Sequence, residues 1–217
     1  MWPLGVLKKI DSLLDPSKVV ALYHFDSDYT DSSPNARHLT VAGAVSIDTS
    51  TKKFGAGAMR LNMSGGAANA QAANVFDFGG QRPFTISYWI SSTVVEANSP
   101  VFRTSVSGNT CIEIRGVNIV IRNSNFTSVS GSLTLVGTTA TQNHIVLTGD
   151  GTNIKSYFNG QLSGTTAHPN WPSQLYPAYL GNPFQANVSN LTVDELLIYD
   201  GVVWSAPFTP PTAPFTG

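Results

Sequence analysis

The chain has one cysteine and few charged residues. Cys111 stands alone, so no disulfide can form within the chain and no cysteine zinc cluster is available. Charged residues make up 12% of the 217 residues, against roughly 25% in typical globular domains. A Lys+Arg count of 12 and an Asp+Glu count of 13 give a net charge of −1, which provides no basic surface for nucleic acid. We therefore expect no nucleic-acid partner.

Long apolar segments are also missing. No run approaches the roughly 20 residues that a membrane-spanning helix needs, so we expect no membrane insertion. Residues 1–9, MWPLGVLKK, carry their lysines after the apolar residues, which is not the order of a secretory signal peptide. The sequence thus predicts a protein that is made in the cytoplasm and either stays there or leaves as part of a particle.

From residue 19 onward, apolar and polar residues alternate. Residues 84–90, FTISYWI, and 154–158, IKSYF, place apolar side chains at every second position, which is typical of strands. Turn-forming pairs separate such segments, and Asn159-Gly160 is a type I′ hairpin signal. This pattern predicts an all-β fold over residues 18–206, either an antiparallel two-sheet sandwich or a jelly roll.

Residues 1–17 have a helical spacing of apolar residues that ends at Pro16. This spacing predicts a short N-terminal amphipathic helix. Two interpretations are open: the helix packs on its own domain, or it docks on a partner subunit. The docking residues would be Trp2, Leu7, Ile10 and Leu14.

Residues 207–217 form a proline-rich tail. Proline cannot donate to a sheet ladder, so this segment cannot be a central strand. Phe208 and Phe215 are expected to hold the tail against the sandwich.

Seven segments carry a family resemblance when they are read in order. They are LYHFD at 22–26, TDSSPNARH at 30–38, KFGAGAM at 53–59, FTISYWI at 84–90, NHIVLT and IKSYFNG within 143–160, and VDELLI at 193–198. Together they resemble the concanavalin A-like lectin/glucanase superfamily in its laminin-G-like (LamG) form. Pro34 and Ala36 stand where the turn of that family has glycines. The resemblance implies an antiparallel two-sheet jelly-roll sandwich.

The ending FTPPTAPF at 208–215 is similar to LamG-like domains of phage and prophage virion proteins. This resemblance implies a non-enzymatic bacteriophage virion protein, either a capsid decoration or a tail or fibre component. Its partners would be capsid or tail subunits, and a homo-oligomer is compatible with that role. The expected location is the virion.

The same superfamily includes glycoside hydrolases, which place their carboxylates on one strand as Glu-x-Asp-x-x-Glu. Glu96, Glu113 and Glu195 are the only glutamates here, and none lies in that pattern. Asp194 and Glu195 are adjacent and are expected to point to opposite faces of a strand. Hydrolysis is therefore a distant alternative, and we expect no enzymatic activity.

Many members of the superfamily hold one structural calcium ion between the loop after the first strand and the closing strand. The resemblance places Asp31, Asn35 and Asp194 at matching positions, with Asp26 close in sequence. Calcium takes several oxygen ligands at about 2.3–2.6 Å, which these side chains could supply. The alternative is that they only cap turns.

A loop at residues 167–176 suggests carbohydrate binding. Aromatic rings stack on sugar faces, while amides bond the ring hydroxyls. Trp171 and Tyr176 would stack on a sugar, with Asn170 and Gln174 as hydrogen-bonding neighbours. The alternative is that Trp171 covers the edge of the sandwich. A carbohydrate-binding adhesin that recognises host-surface glycans is thus the second predicted function.

Overall fold

The computed structural model describes residues 14–64, 66–94, 100–106, 109–115, 118–126, 129–134, 142–182 and 190–216. Within these ranges the chain forms two antiparallel sheets. The strands of the eight-stranded sheet are β1 (Val19–Tyr23), β3 (Val45–Asp48), β4 (Ala58–Asn62), β6 (Phe84–Val94), β11 (Asn143–Gly149), β12 (Asn153–Phe158), β13 (Gln161–Ala167) and β15 (Asn190–Tyr199). Their order is β13-β12-β11-β6-β15-β4-β3, and β1 pairs with β15.

The second sheet has seven strands. They are β2 (Thr40–Ala42), β5 (Ala68–Asp77), β7 (Pro100–Val106), β8 (Asn109–Arg115), β9 (Asn118–Arg122), β10 (Val129–Thr134) and β14 (Leu175–Asn182), in the order β10-β9-β8-β7-β14-β5-β2. The prediction of an all-β, two-sheet jelly-roll sandwich is confirmed. Among the described residues, no helix is long and apolar enough to cross a membrane.

The core lies between the two sheets and follows the period-two pattern of the sequence. In β6, Phe84, Ile86 and Tyr88 face the core and are 0–1% exposed. Phe102 and Ile112 of the seven-stranded sheet belong to the same core cluster and are fully buried. Alternation therefore places one face of each strand in the core, as the sequence pattern predicts.

A second apolar cluster covers the outer face of the eight-stranded sheet. We call it the outer-face cluster; its buried members are Leu14, Val19, Leu22, Val146, Tyr157, Leu197, Tyr199, Trp204 and Phe215. Phe208 packs against it, and its ring stacks on Trp204 with centroids 4.6 Å apart. The backbone of the tail approaches the sheet closely, because the Phe208 amide donates to the Gly160 carbonyl at 2.9 Å.

The N-terminal helix prediction needs a correction. Helical structure near the described start of the chain is a single 3-10 turn, Pro16–Lys18, which Asp15 caps by accepting a hydrogen bond from the Ser17 amide. Pro16 begins this turn instead of ending a helix, because proline fits the first helical position. Leu14 is 8% exposed and packs in the outer-face cluster of its own chain. Trp2, Leu7 and Ile10 lie outside the described residues.

Candidate functional site

A cleft of about 200 Å³ lies at one end of the sandwich, where β1 begins, β5 ends and β14 begins. We call it the end cleft. Its lining residues are Ser17, Lys18, Val19, Val20, Asn35, Arg37, Val75, Phe76, Asp77, Arg82, Leu175 and Asp200. The two sheets each contribute one wall, so the shape of the cleft depends on how their ends and the adjoining loops are fixed.

One wall is the loop of residues 31–37, which Asp31 holds in place. The Asp31 carboxylate is 6% exposed and accepts hydrogen bonds from the Leu22 amide at 2.9 Å and the Arg37 amide at 2.8 Å. It also accepts from the amide and the hydroxyl of Ser33, at 2.8 and 2.9 Å. A buried carboxylate that accepts several N–H bonds fixes a loop firmly, because each bond is charge-assisted.

This fixed loop presents Asn35 and Arg37 to the cleft. The Asn35 side-chain amide donates to the carbonyls of Val19 and Val20 at 2.9 and 3.1 Å, which leaves its oxygen as an acceptor. The Arg37 carbonyl accepts from the Tyr23 hydroxyl at 2.6 Å, and Arg37 Nη1 donates to the Val20 carbonyl at 2.6 Å. Both side chains are thereby oriented before any ligand binds.

The opposite wall is tied together by Asp77 and Arg82. The Asp77 carboxylate accepts from the Gly79 amide at 2.8 Å and from the Gln174 amide at 3.0 Å, and also from the Ser173 hydroxyl. Burial opposes the effect, but these bonds keep the pKa of Asp77 below its usual value. Arg82 pairs with Asp200 through two hydrogen bonds, and its guanidinium lies 4.9 Å from the centre of the Phe76 ring.

The loop at residues 167–176 reaches the end cleft, but not through the residues that were predicted. Trp171 and Tyr176 are 1% and 0% exposed and belong to the core. The Trp171 Nε1 donates to the Arg122 carbonyl, and the Tyr176 hydroxyl donates to the Pro172 carbonyl. Neither ring therefore offers a face to a sugar, because packing between the sheets covers both. The burial of Trp171 agrees with the alternative interpretation, in which this side chain covers the edge of the sandwich.

The other two predicted sugar ligands are at the surface. Asn170 is exposed, and Gln174 is half-buried, with its backbone N–H donating to the Asp77 carboxylate. The residue of this segment that lines the end cleft is Leu175, the first residue of β14, whose side chain is 51% exposed. An exposed leucine in a polar cleft gives an apolar patch of the kind that contacts the C–H face of a sugar.

The four predicted calcium ligands divide between two loops. Asp31 and Asn35 hold the loop of residues 31–37, as described above. Asp194 accepts from the amides of Lys53 and Phe54 at 2.7 and 3.0 Å. Asp26 accepts from the amides of Ala56 and Gly57 in the same stretch.

These contacts do not fit a calcium site built from the four side chains. The Asp31 oxygens are already occupied by four donors, and Asn35 turns its amide N–H groups inward. Across the described ranges no group of three or more His, Cys, Asp or Glu side chains could hold a metal ion. The hydrogen bonds of Asp26, Asp31 and Asn35 agree with the turn-capping alternative, whereas Asp194 Oδ1 is buried without a hydrogen-bond partner among the described residues.

Asp194 and Glu195 do not alternate across the strand as expected. The pairing of β15 with β6 shifts register between Asp194 and Leu197, and Glu195 has a φ of 51°. This bulge leaves both carboxylates close enough to His24 to raise its pKa, chiefly through the His24–Glu195 hydrogen bond of 2.8 Å. Burial raises the pKa of Asp194 to about 6. The simple period-two rule fails at the bulge because one extra residue interrupts it.

Asp194 and the described glutamates are not arranged for glycoside hydrolysis. Asp194 and Glu195 are 0% and 2% exposed, so a substrate cannot reach them. Glu195 also accepts a hydrogen bond from the Phe215 amide, and Glu113, in the other sheet, pairs with Arg115 at 2.9 Å. Glu96 lies outside the described residues. A hydrolase needs two accessible carboxylates facing one another at defined separation.

The outer face of the seven-stranded sheet carries a polar row. Gln71, Tyr179, Arg103 and Glu113 stand directly opposite one another on β5, β14, β7 and β8. The Arg103 guanidinium lies 5.7 Å from the centre of the Tyr179 ring. An aromatic ring flanked by charged and amide groups is a second surface on which a sugar could rest.

Another cleft, of about 110 Å³, opens on the outer face of the eight-stranded sheet. It is lined by Asp48, Ser50, Thr51, Arg60, Ser91, Asn190, Leu191 and Thr192. Its charges are satisfied internally, because Arg60 pairs with Asp48 and donates to the Asn190 side chain. The end cleft is the better candidate, since it combines an exposed apolar side chain with donors that the protein leaves available.

Comparison with known proteins identifies the family of the fold. Residues 64–206 match the family model Laminin_G_3, described as the concanavalin A-like lectin/glucanases superfamily. No curated protein sequence matches the chain. Domain 4 of AbnA, a GH43 extracellular arabinanase from Geobacillus stearothermophilus, in complex with arabinotriose, is similar with a TM-score of 0.65 and 19% identity, over 85% of this chain and 93% of that one.

The botulinum neurotoxin serotype D binding domain is also similar, with a TM-score of 0.67 and 16% identity over 89% of this chain and 50% of that one. The serotype D ligand binding domain in complex with N-acetylneuraminic acid gives a TM-score of 0.66 and 14% identity over the same shares. The chain thus spans about half the length of these two neurotoxin domains. At such identities the likeness shows the fold alone.

Proposed function

The chain belongs to the concanavalin A-like lectin/glucanases superfamily, and from that premise we propose that it is a non-catalytic carbohydrate-binding domain whose site is the end cleft. The observation that carries the proposal is the make-up of this cleft. Arg37 and Asn35 offer an oriented donor and an oriented acceptor, and Leu175 offers an exposed apolar face beside them. Sugars present hydroxyls and C–H faces together, so a binding site must supply both kinds of contact.

The similar structures support the substrate class. The similar arabinanase domain, which this chain covers almost entirely, is in complex with arabinotriose. The neurotoxin domain in complex with N-acetylneuraminic acid is similar over half of its length. The carboxylates of this chain support a non-catalytic role, because the described glutamates are engaged in pairs and hydrogen bonds. A host-surface glycan is the ligand expected for an adhesin of this type.

A glycan array followed by calorimetric titration tests the proposal. Leu175→Ser should weaken binding about fivefold, since roughly 1 kcal/mol is expected for losing half of a leucine contact. Leu162→Ser is the matched control, because Leu162 is 49% exposed and lies on β13, outside the end cleft. Loss of binding in Tyr179→Ala instead, with Leu175→Ser unaffected, would move the site to the polar row.

A second proposal concerns where the domain works. We propose that it is displayed on a bacteriophage particle, as a capsid decoration or a tail component, and that residues 1–13 contact other virion subunits. Support comes from the likeness of residues 208–215 to virion LamG-like domains. Leu14 also brings the N-terminal segment to the outer-face cluster, beside the tail.

Deletion of residues 1–13 tests this role while keeping Leu14 and the Asp15 cap in place. The truncated protein should fold with an unchanged melting temperature and be absent from purified particles. Full occupancy of particles by the truncated protein would refute docking through this segment. Sedimentation of the isolated protein checks separately whether it forms a homo-oligomer.

A further inference from the structure

The charge of the end cleft specifies its ligand further, given the carbohydrate binding proposed above. We infer that the sugar carries a carboxylate, which Lys18 and Arg37 recognise together. The cleft is lined by three cationic side chains and two carboxylates, although the whole chain has a net charge of −1. The inference depends on which of these charges are already neutralised inside the protein.

Both carboxylates of the lining are engaged. Asp77 accepts hydrogen bonds from two amides and the Ser173 hydroxyl. Asp200 faces Arg82, with Arg82 Nε 3.0 Å from Asp200 Oδ1 and a second bond beside it. The charge of Arg82 is therefore paired with Asp200, and Lys18 and Arg37 are the cations of the lining that remain for a ligand.

Arg37 is the better fixed of the two cations. Its amide, carbonyl and Nη1 are all bound, to Asp31, Tyr23 and Val20. Within the described residues Nε and Nη2 make no hydrogen bond and form one edge of the guanidinium. Such an edge matches the two oxygens of a carboxylate, and a bidentate pair adds both geometry and energy.

Lys18 supplies the second charge. It is the last residue of the 3-10 turn, and its carbonyl accepts from the Asp200 amide at 2.9 Å, which places its backbone at the cleft wall. Its ammonium forms no ion pair with the described residues. The carboxylate of Asp15 is near enough to interact with it, but Asp15 is exposed and bound to the amide and hydroxyl of Ser17.

A neutral sugar would leave these two cations without a partner as it displaced their water. A carboxylate on the sugar would replace that water by charge-assisted hydrogen bonds. The same chemistry occurs in sialic acids and in uronic acids, so the carboxylate is the specified feature and the source of the acid is left to experiment.

Two pairs of ligands separate these sources. One pair is sialyllactose and lactose; the other is oligogalacturonate and its methyl ester. We expect one acidic ligand to bind the intact protein at least tenfold more tightly than its neutral partner, with the difference shrinking at high salt. Binding of sialyllactose would identify a sialic acid as the source of the carboxylate, and binding of oligogalacturonate would identify a uronic acid.

Lys18→Gln is the deciding variant, because it removes one charge without touching a hydrogen bond within the described fold. It should weaken the acidic ligand roughly tenfold, as expected for one charge-assisted contact, and leave the neutral ligand unchanged. Lys52→Gln is the control, since Lys52 is exposed, lies outside the cleft lining and has the same charge. Arg37→Lys keeps the charge but loses the bidentate edge, so it should weaken the acid as well.

The outcomes distinguish this inference from the function on which it rests. Equal binding of acidic and neutral ligands, with Leu175→Ser weakening both, overturns the carboxylate and keeps the carbohydrate site. Equal losses in Lys18→Gln and Lys52→Gln would reduce the effect to net charge and also overturn it. Failure of every ligand and of the glycan array would refute the proposed function itself.

Discussion

Replacing Asp31 by alanine should cost the protein a large part of its stability. The change removes the acceptor of the Leu22, Ser33 and Arg37 amides at once. The Leu22 amide lies in a fully buried stretch of β1, so it cannot turn to water and loses roughly 1–3 kcal/mol. The other two can be partly rehydrated and add about 1 kcal/mol each. The expected loss is roughly 3–5 kcal/mol, against a total of about 5–15 kcal/mol for a typical domain.

Denaturant unfolding followed by tryptophan fluorescence measures this loss. Asp28→Ala is the matched control, because Asp28 also accepts from an amide and a hydroxyl, both of Thr30, but is exposed. It should cost less than about 1 kcal/mol. If Asp31→Ala cost no more than Asp28→Ala, the argument that Asp31 organises the loop would be wrong.

The same experiment separates a structural carboxylate from a calcium ligand. If Asp31 acts through its hydrogen bonds, EDTA leaves the melting temperature of the unaltered protein unchanged, and Asp31→Ala lowers it with or without EDTA. If it acts through an ion, EDTA alone reproduces the effect of the substitution. The second result would restore the calcium interpretation of the sequence.

Three further predictions test other parts of the structure. Burial raises the pKa of Asp194 to about 6, so the folded state binds this proton more tightly than the unfolded chain does. The free energy of unfolding should therefore fall by up to roughly 3 kcal/mol as pH rises from about 4 to 7. Asp194→Asn should flatten that slope in urea titrations, and an unchanged slope would contradict the assignment. Gly160→Ala should destabilise the fold by about 1–3 kcal/mol and expose the tail to proteolysis. Gly160 has a φ of 78°, and an added Cβ would lie 1.9 Å from the Phe208 carbonyl oxygen. Gly66→Ala is the control and should be nearly neutral, because an added Cβ there would have no atom within 4 Å. Burial raises the pKa of the Cys111 thiol to about 12, so a thiol reagent at pH 8 should label it only after unfolding, and fast labelling of the folded protein would be the contrary result.

The sandwich could be predicted from the sequence because its strands obey a simple period. Residues 84–90 and 154–158 alternate as the two faces of a sheet demand, and turn residues mark their ends. The exception is instructive. Glu195 lies in a bulge and has a positive φ, and the sequence has no glycine at that position to indicate such a conformation. Bulges in β15 are set by pairing with two neighbouring strands, which a one-dimensional pattern does not contain.

The site was harder to predict than the fold. Aromatic rings suit sugars, so the sequence predicts Trp171 and Tyr176 as sugar ligands, but both rings are buried in the fold. The useful signals were less conspicuous. Arg37 lies in the turn that resembles the family, and Leu175 lies next to the predicted sugar ligands. Their importance depends on the ends of β1, β5 and β14 meeting, which is a property of the tertiary structure.

One loop links stability to binding in this protein. Asp31 fixes the loop of residues 31–37 from the buried side, and Arg37 faces the cleft from the same loop. A variant that loosens the loop must therefore change both properties, whereas Lys18, outside the loop, can alter binding alone. If Asp31→Ala lowers affinity for an acidic sugar at temperatures well below its unfolding transition, the loss reports preorganisation of Arg37 rather than unfolding. Preserved affinity in that variant would mean that Arg37 needs no support from Asp31, and that β1, through the Val20 carbonyl and the Tyr23 hydroxyl, orients it sufficiently.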